Sequence, residues 1–225
     1  MDRRVPMIAG IAFAVLFAAA LISVPTLPGI DKPGYDIVAF IAEHAVAMRM
    51  QALLVTFGCL ALVVVLGYAR DKLSGPQAHV FTVGSAILLV EVFIATWFTA
   101  GLALHPDQLG SATARTIADI AAMFGPLLTV ADIMVAVPIL LAANEDRFPR
   151  WLGILAAVFA VEQLIETITI IGPPASFISP GGAMNFYLGA PLFIVFFLAL
   201  GVALSLESSE STHQPPPVAV DEETD

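Results

Sequence analysis

The sequence predicts an all-α polytopic membrane protein: a six-helix transmembrane bundle with an extracytoplasmic interfacial helix and an acidic cytoplasmic tail. Three observations predict it. Of 225 residues, 59% are hydrophobic and only 12% charged, where a soluble domain carries roughly a quarter charged residues. The mean hydropathy is +0.92. The apolar residues gather into runs of about 20, separated by charges, Gly and Pro, as helices crossing a hydrocarbon core of ~30 Å require. This composition excludes an ordinary water-soluble domain and argues against nucleic acid as a partner. Cys59 is the sole cysteine, which excludes an intrachain disulfide, a CxxC redox pair and a Cys-based zinc site.

The predicted spans are about 7–24, 51–68, 78–104, 116–143, 151–172 and 183–205. The first follows Arg3 and Arg4 as a signal peptide would, but its roughly 18 apolar residues exceed the ~7–15 of a signal core, so it reads as a retained span. Between the first two spans, Pro25, Pro28, Gly29, Pro33 and Gly34 break the chain, and Asp36 is placed to cap a helix. Ile37, Phe40, Ile41, His44, Ala45 and Met48 then recur at three and four, with Glu43 and Arg49 off the stripe. This pattern predicts an interfacial helix on the outer leaflet, with a continuous run into the second span as the alternative. In the fourth span Pro126 and Pro138 flank Asp132 and predict a kink. The uncharged, breaker-rich stretch Gly172–Gly182 predicts a turn or a short re-entrant segment.

Residues 1–206 therefore form the transmembrane domain, and 207–225 a disordered tail. The tail holds six of the 19 acids and the run Pro215, Pro216, Pro217, and nothing in it can build a core. A solvated tail is the plain reading; a docking peptide for a cytoplasmic protein partner is the sharper one. With the N-terminus inside, cytoplasmic segments hold Arg3, Arg4, Arg70, Lys72, Arg147 and Arg150, while outer segments hold Lys32, Arg49 and Arg115. That bias predicts a multi-pass protein of the cell (inner) membrane with both termini cytoplasmic.

Four carboxylates lie within apolar runs: Glu91, Asp132, Glu162 and Glu166. At 1.5 Å per residue, Glu91 lies about 20 Å along the third span and Asp132 about 24 Å along the fourth; Glu162 and Glu166 lie about 16 and 22 Å from Trp151. All four thus reach mid-depth on consecutive helices. Glu162 and Glu166 are four apart and share a face that Gln163, Thr167 and Thr169 widen into a polar stripe. An acid at a helix centre costs roughly 2.5–3.5 kcal/mol on insertion scales, so these groups must face the bundle or water and be paired, protonated or cation-bound. Two carboxylates within reach of each other favour sharing a proton. Arg49 and Arg115, at outer helix ends, are candidate charge partners that snorkelling would bring toward Glu166, with the lipid headgroups as their alternative partners.

The expectation is a small transporter or ion-translocating protein that binds a proton, an inorganic cation or an organic cation. Glu162 and Glu166 form its exchangeable pair, Asp132 the partner on a kinked helix, Glu91 the opposite wall, and Gln163 a supporting ligand. No cofactor is expected, and because no histidine lies at that depth the four carboxylates favour a hard cation over a transition metal. The competing reading is a non-catalytic membrane subunit or scaffold, in which neutral acids hydrogen-bond across helices for about 1 kcal/mol each or less. A lipid-modifying enzyme working through His44 or His105 ranks third, since no nucleophile or metal constellation accompanies them.

The short basic N-terminus, the long first outer loop ending in Ala47, Met48, Arg49 and Met50, and the acid at Glu91 in the third span together resemble uncharacterised bacterial integral membrane proteins with six spans. The likeness covers most of residues 1–205 at the level of layout. It implies the six-span fold and supplies no activity or site residue.

Overall fold

The computed structural model describes residues 4–210; the acidic stretch 211–225 lies outside the described residues. Among the described residues there are helices and turns and no strand. In chain order the α-helices are α1 (Val5–Ser23), α2 (Gly34–Asp71), α3 (Gly75–Leu102), α4 (Ser111–Ala122), α5 (Phe124–Asn144), α6 (Arg150–Glu166) and α7 (Ala190–Glu210). Six helical stretches are long and apolar enough to cross a membrane, with α4 and α5 together making the fourth.

Each boundary has a local cause. Pro33 is extended (φ −70°, ψ 158°) and launches α2 at Gly34, two residues before Asp36, which falls in the first turn and makes no capping bond. From there no proline interrupts the chain, so the stretch expected as an interfacial helix and the second span form one helix of 38 residues. The fourth span divides instead. Pro126 has no N–H for the carbonyl of Ala122 and its ring crowds that carbonyl, so α4 stops at Ala122 and α5 restarts at Phe124. Pro138 is accommodated inside α5. At the end of α6 the Thr167 hydroxyl donates to Gln163 O at 3.0 Å, and the chain tightens into a 3₁₀ segment, Thr167–Ile171, before Gly172 and two prolines. The stretch 172–182 is made of turns, after which a π-helical turn, Asn185–Gly189, leads into α7.

The spans pack as a ring in the order α1, α2, α3, α5, α6, α7 and back to α1. The fourth span is the most enclosed, with 56% of its most apolar window buried against 28–44% for the others. The outward faces are apolar: Ile8, Val15, Phe57, Leu60, Val90 and Val158 are all exposed, as a lipid-facing surface requires. Close approaches rest on glycine. Gly10 of α1 meets Gly201 of α7, where a Cβ on Gly201 would lie 2.7 Å from Pro6 O and 3.0 Å from Gly10 Cα.

Buried apolar residues form two clusters. The larger fills one half of the ring with aromatic rings: Phe159 stacks on Phe196 at 4.6 Å, and Phe197 meets Phe13 at 5.7 Å and Phe193 at 4.9 Å. The smaller joins Val24, the first turns of α2 (Ile37, Ile41, Met48), the end of α3 and the Ala114/Ala118 face of α4. This second cluster makes a cap over one end of the ring. Arg115 ties the cap together: its guanidinium donates to Gly29 O (3.1 Å) and Lys32 O (3.0 Å) and pairs with Asp119. Nearby, the hydrogen bond from Lys32, whose Nζ lies 2.8 Å from Asp31, holds the Asp31 carboxyl below its usual range and in turn raises Lys32.

Candidate functional site

The aromatic packing fills the end of the ring away from the cap. Toward the cap the ring is hollow, with a cavity of about 340 Å³ to which all six spans contribute. Its upper walls are mostly apolar, from Phe17 and Ala20 on α1, Val55 on α2, Ala95 on α3 and Leu128 on α5. Its polar groups are Gln51, Thr96 and Thr99, and the set Asp132, Gln163, Glu166 and Asn185. Phe193 belongs both to the cavity wall and to the aromatic cluster, so that cluster closes the cavity on the side away from the cap. A second hollow shares Leu21, Gln51, Thr99 and Phe186 with the first and extends under residues 24–30 as far as Arg115. The two together trace a path toward the capped end.

Asp132, Gln163 and Glu166 are 1%, 3% and 3% exposed, which makes their hydrogen bonds a complete accounting problem. Gln163 Nε2 bridges two carboxylates, donating to Glu162 Oε2 at 2.8 Å and to Glu166 Oε2 at 3.3 Å. Asn185 Nδ2 donates to Glu166 Oε1. Glycine makes this meeting fit: a Cβ on Gly189 would lie 2.2 Å from Glu166 Oε2, and one on Gly125 would lie 2.9 Å from Asn185 Nδ2. The hydroxyls of Thr129 and Thr167, 2.9 Å apart, hold α5 to the 3₁₀ end of the α6 span just beyond Glu166. Asp132 is different. Its Oδ1 is buried with no hydrogen-bond partner among the described residues, and so is Asn185 Oδ1.

The expected constellation is thus assembled in part. Asp132, Gln163 and Glu166 converge on the cavity. Glu162 touches the group through Gln163 but does not line the cavity, and one of its oxygens is buried and unpartnered. Glu91 lies on α3, half-buried, also outside the lining and with a buried unpartnered oxygen. Neither arginine is brought to Glu166: Arg115 is spent on the cap, and exposed Arg49 donates to Ala45 O of its own helix. His44 packs its ring on Phe40, and His105 is exposed beyond α3. Neither borders the cavity. Among the described residues, no three His, Cys, Asp or Glu side chains are grouped to hold a metal ion.

Asn185 and Gly189 escape a reading by charge. Asn185 stands beside a Gly- and Pro-rich loop and looks like a turn residue, and only its position three residues after Gly182, inside the last apolar run, marks it as a polar group heading into the bundle. Compared with protein-family profiles, curated proteins and solved structures, the chain matches none.

Proposed function

We propose that this chain is a small transporter or ion-translocating protein in which Asp132 and Glu166 bind a proton or a cation. The reading is carried by one observation: carboxylates from two helices border a cavity to which every span contributes, with Gln163 and Asn185 holding one of them and leaving the other open. A buried acceptor left without a partner costs about 1–3 kcal/mol. Asp132 carries that cost beside a cavity. The aromatic cluster closes the cavity at one end and the second hollow leads from the other, the arrangement of a site reached from one side at a time.

In this reading the protein sits in the cell (inner) membrane with both termini cytoplasmic. The six-to-three bias of Lys and Arg between the two ends supports that orientation. The cap is then extracytoplasmic, and the first turns of α2 with α4 lie at the level of the outer headgroups as its interfacial part. Glu162 and Glu91 lie outside the walls of the site.

The test is proton or cation flux in liposomes holding equal amounts of wild type, Asp132→Asn, Glu166→Gln and Glu162→Gln. Asn and Gln keep size and hydrogen bonding while removing the ionisable group. Expected are gradient-driven flux in the wild type, its loss in Asp132→Asn and Glu166→Gln, and a smaller effect in Glu162→Gln. Flux unchanged in both Asp132→Asn and Glu166→Gln removes the pair from the mechanism.

A further inference from the structure

We infer that the cavity takes an organic ammonium ion with an apolar body, anchored by its N–H groups on Asp132. The inference rests on the reading of Asp132 and Glu166 as a binding pair and names the class of cation.

Size is the first argument. At about 340 Å³ the cavity falls in the range of small-molecule sites, roughly 300–1,000 Å³, and far exceeds what a proton relay or a single ion needs. Chemistry is the second. A bare calcium-like cation needs about 6–8 oxygen ligands, and among the described residues no three acids are grouped to supply them. The walls instead offer aromatic carbon from Phe17, Phe186 and Phe193 and aliphatic carbon from Val55 and Leu128, surfaces that receive a hydrocarbon body and, through the ring faces, a positive charge.

Hydrogen bonding is the third argument and fixes the polarity of the ligand. Both Glu166 oxygens already accept from Asn185 and Gln163. Among the described residues, Asp132 Oδ1 and Asn185 Oδ1 are the two buried acceptors left open at the site, and no Lys, Arg or His lines the cavity. The missing complement is therefore a donor with positive charge. A primary or secondary ammonium carries two or more N–H groups and can serve both acceptors; an alcohol serves one and brings no charge.

The experiment uses the full chain in nanodiscs with phenethylamine as probe, and phenethyl alcohol and tetramethylammonium as comparators, followed by calorimetry and thermal shift. Phenethylamine is expected to bind saturably, and each comparator at least ~10-fold more weakly, a difference of ~1.4 kcal/mol. Asp132→Asn is expected to erase the advantage of the amine over the alcohol. Ala95→Phe, which fills the cavity from α3 and leaves the carboxylates alone, is expected to abolish binding of both, so the inference stays testable if Asp132→Asn does not fold. Equal binding of amine and alcohol, undiminished amine binding in Ala95→Phe, or no saturable amine binding to folded wild type overturns it. Asp132-dependent proton flux in a preparation that binds no amine overturns this inference alone and leaves the proposed function standing. Amine binding without flux of any kind does the converse.

Discussion

Gly189 lies directly against the carboxylate of Glu166, with no room for a methyl group between them. The π-turn at the start of α7 widens the helix there, a feature often found at functional positions. Gly189→Ala must push the carboxylate away from Asn185 and Gln163, whose bonds hold it. The expected result is flux reduced about tenfold, the equivalent of ~1.4 kcal/mol on the rate, in protein that still folds. Gly67→Ala is the control, since a Cβ there meets nothing within 4 Å. Equal flux in the two variants would show that the Glu166 position is not critical.

The crossing of α1 and α7 tests packing rather than chemistry. A Cβ on Gly201 meets backbone atoms of Pro6 and Gly10, which cannot swing aside as a side chain can. Gly201→Ala is expected to destabilise the bundle by about 1–3 kcal/mol, in line with overpacked cores. Thermal unfolding of the detergent-solubilised protein measures it, and an unchanged midpoint would mean that the helices slide apart freely.

Arg115 holds the cap through two loop carbonyls and Asp119. Arg115→Ala is expected to raise hydrogen exchange and protease sensitivity across residues 25–33, at a stability cost of about 1 kcal/mol for these partly solvated bonds. Arg115→Lys keeps the charge but loses the planar fork, so it should rescue only part of the protection.

The run of α1 alongside α7, with Pro6 beside Gly201, brings the start of the first span next to the end of the last. Cysteine labelling assigns the sides. Ser176→Cys, in the loop at the capped end, should react with a membrane-impermeant reagent added outside cells, and Asp71→Cys, at the α2–α3 turn, only after permeabilisation. The native Cys59 is buried and contributes no background. Labelling of Asp71→Cys from outside would invert the orientation.

How much of this was legible in the sequence depends on the range of the interaction involved. Span number followed from hydropathy, since the solvent imposes it on each segment independently. The break at Met123 was visible as Pro126, although its form, a separate α4 carrying part of a second core, needed the partners Ile37 and Ile41 on α2. Asp132 and Glu166 were visible because a carboxylate in hydrocarbon is conspicuous from its own surroundings. Which of the four acids share a cavity depends on helix rotation, set by contacts such as Gly84 against Met134 that single-chain periodicity does not encode. The loop carbonyls of Gly29 and Lys32 that Arg115 reaches lie 86 and 83 residues away in the chain, and depth along a helix says nothing of such partners.

The uninterrupted α2 has a consequence for the bilayer itself. Its 38 residues make a rod of about 57 Å, nearly twice the hydrocarbon thickness of ~30 Å, and its first turns are built into the cap. Tilt of this rod is therefore geometrically tied to the height of the cap above the lipid. Any change in that tilt also displaces the cap seam against the remaining spans, so the second span and the mouth of the cavity are not mechanically independent.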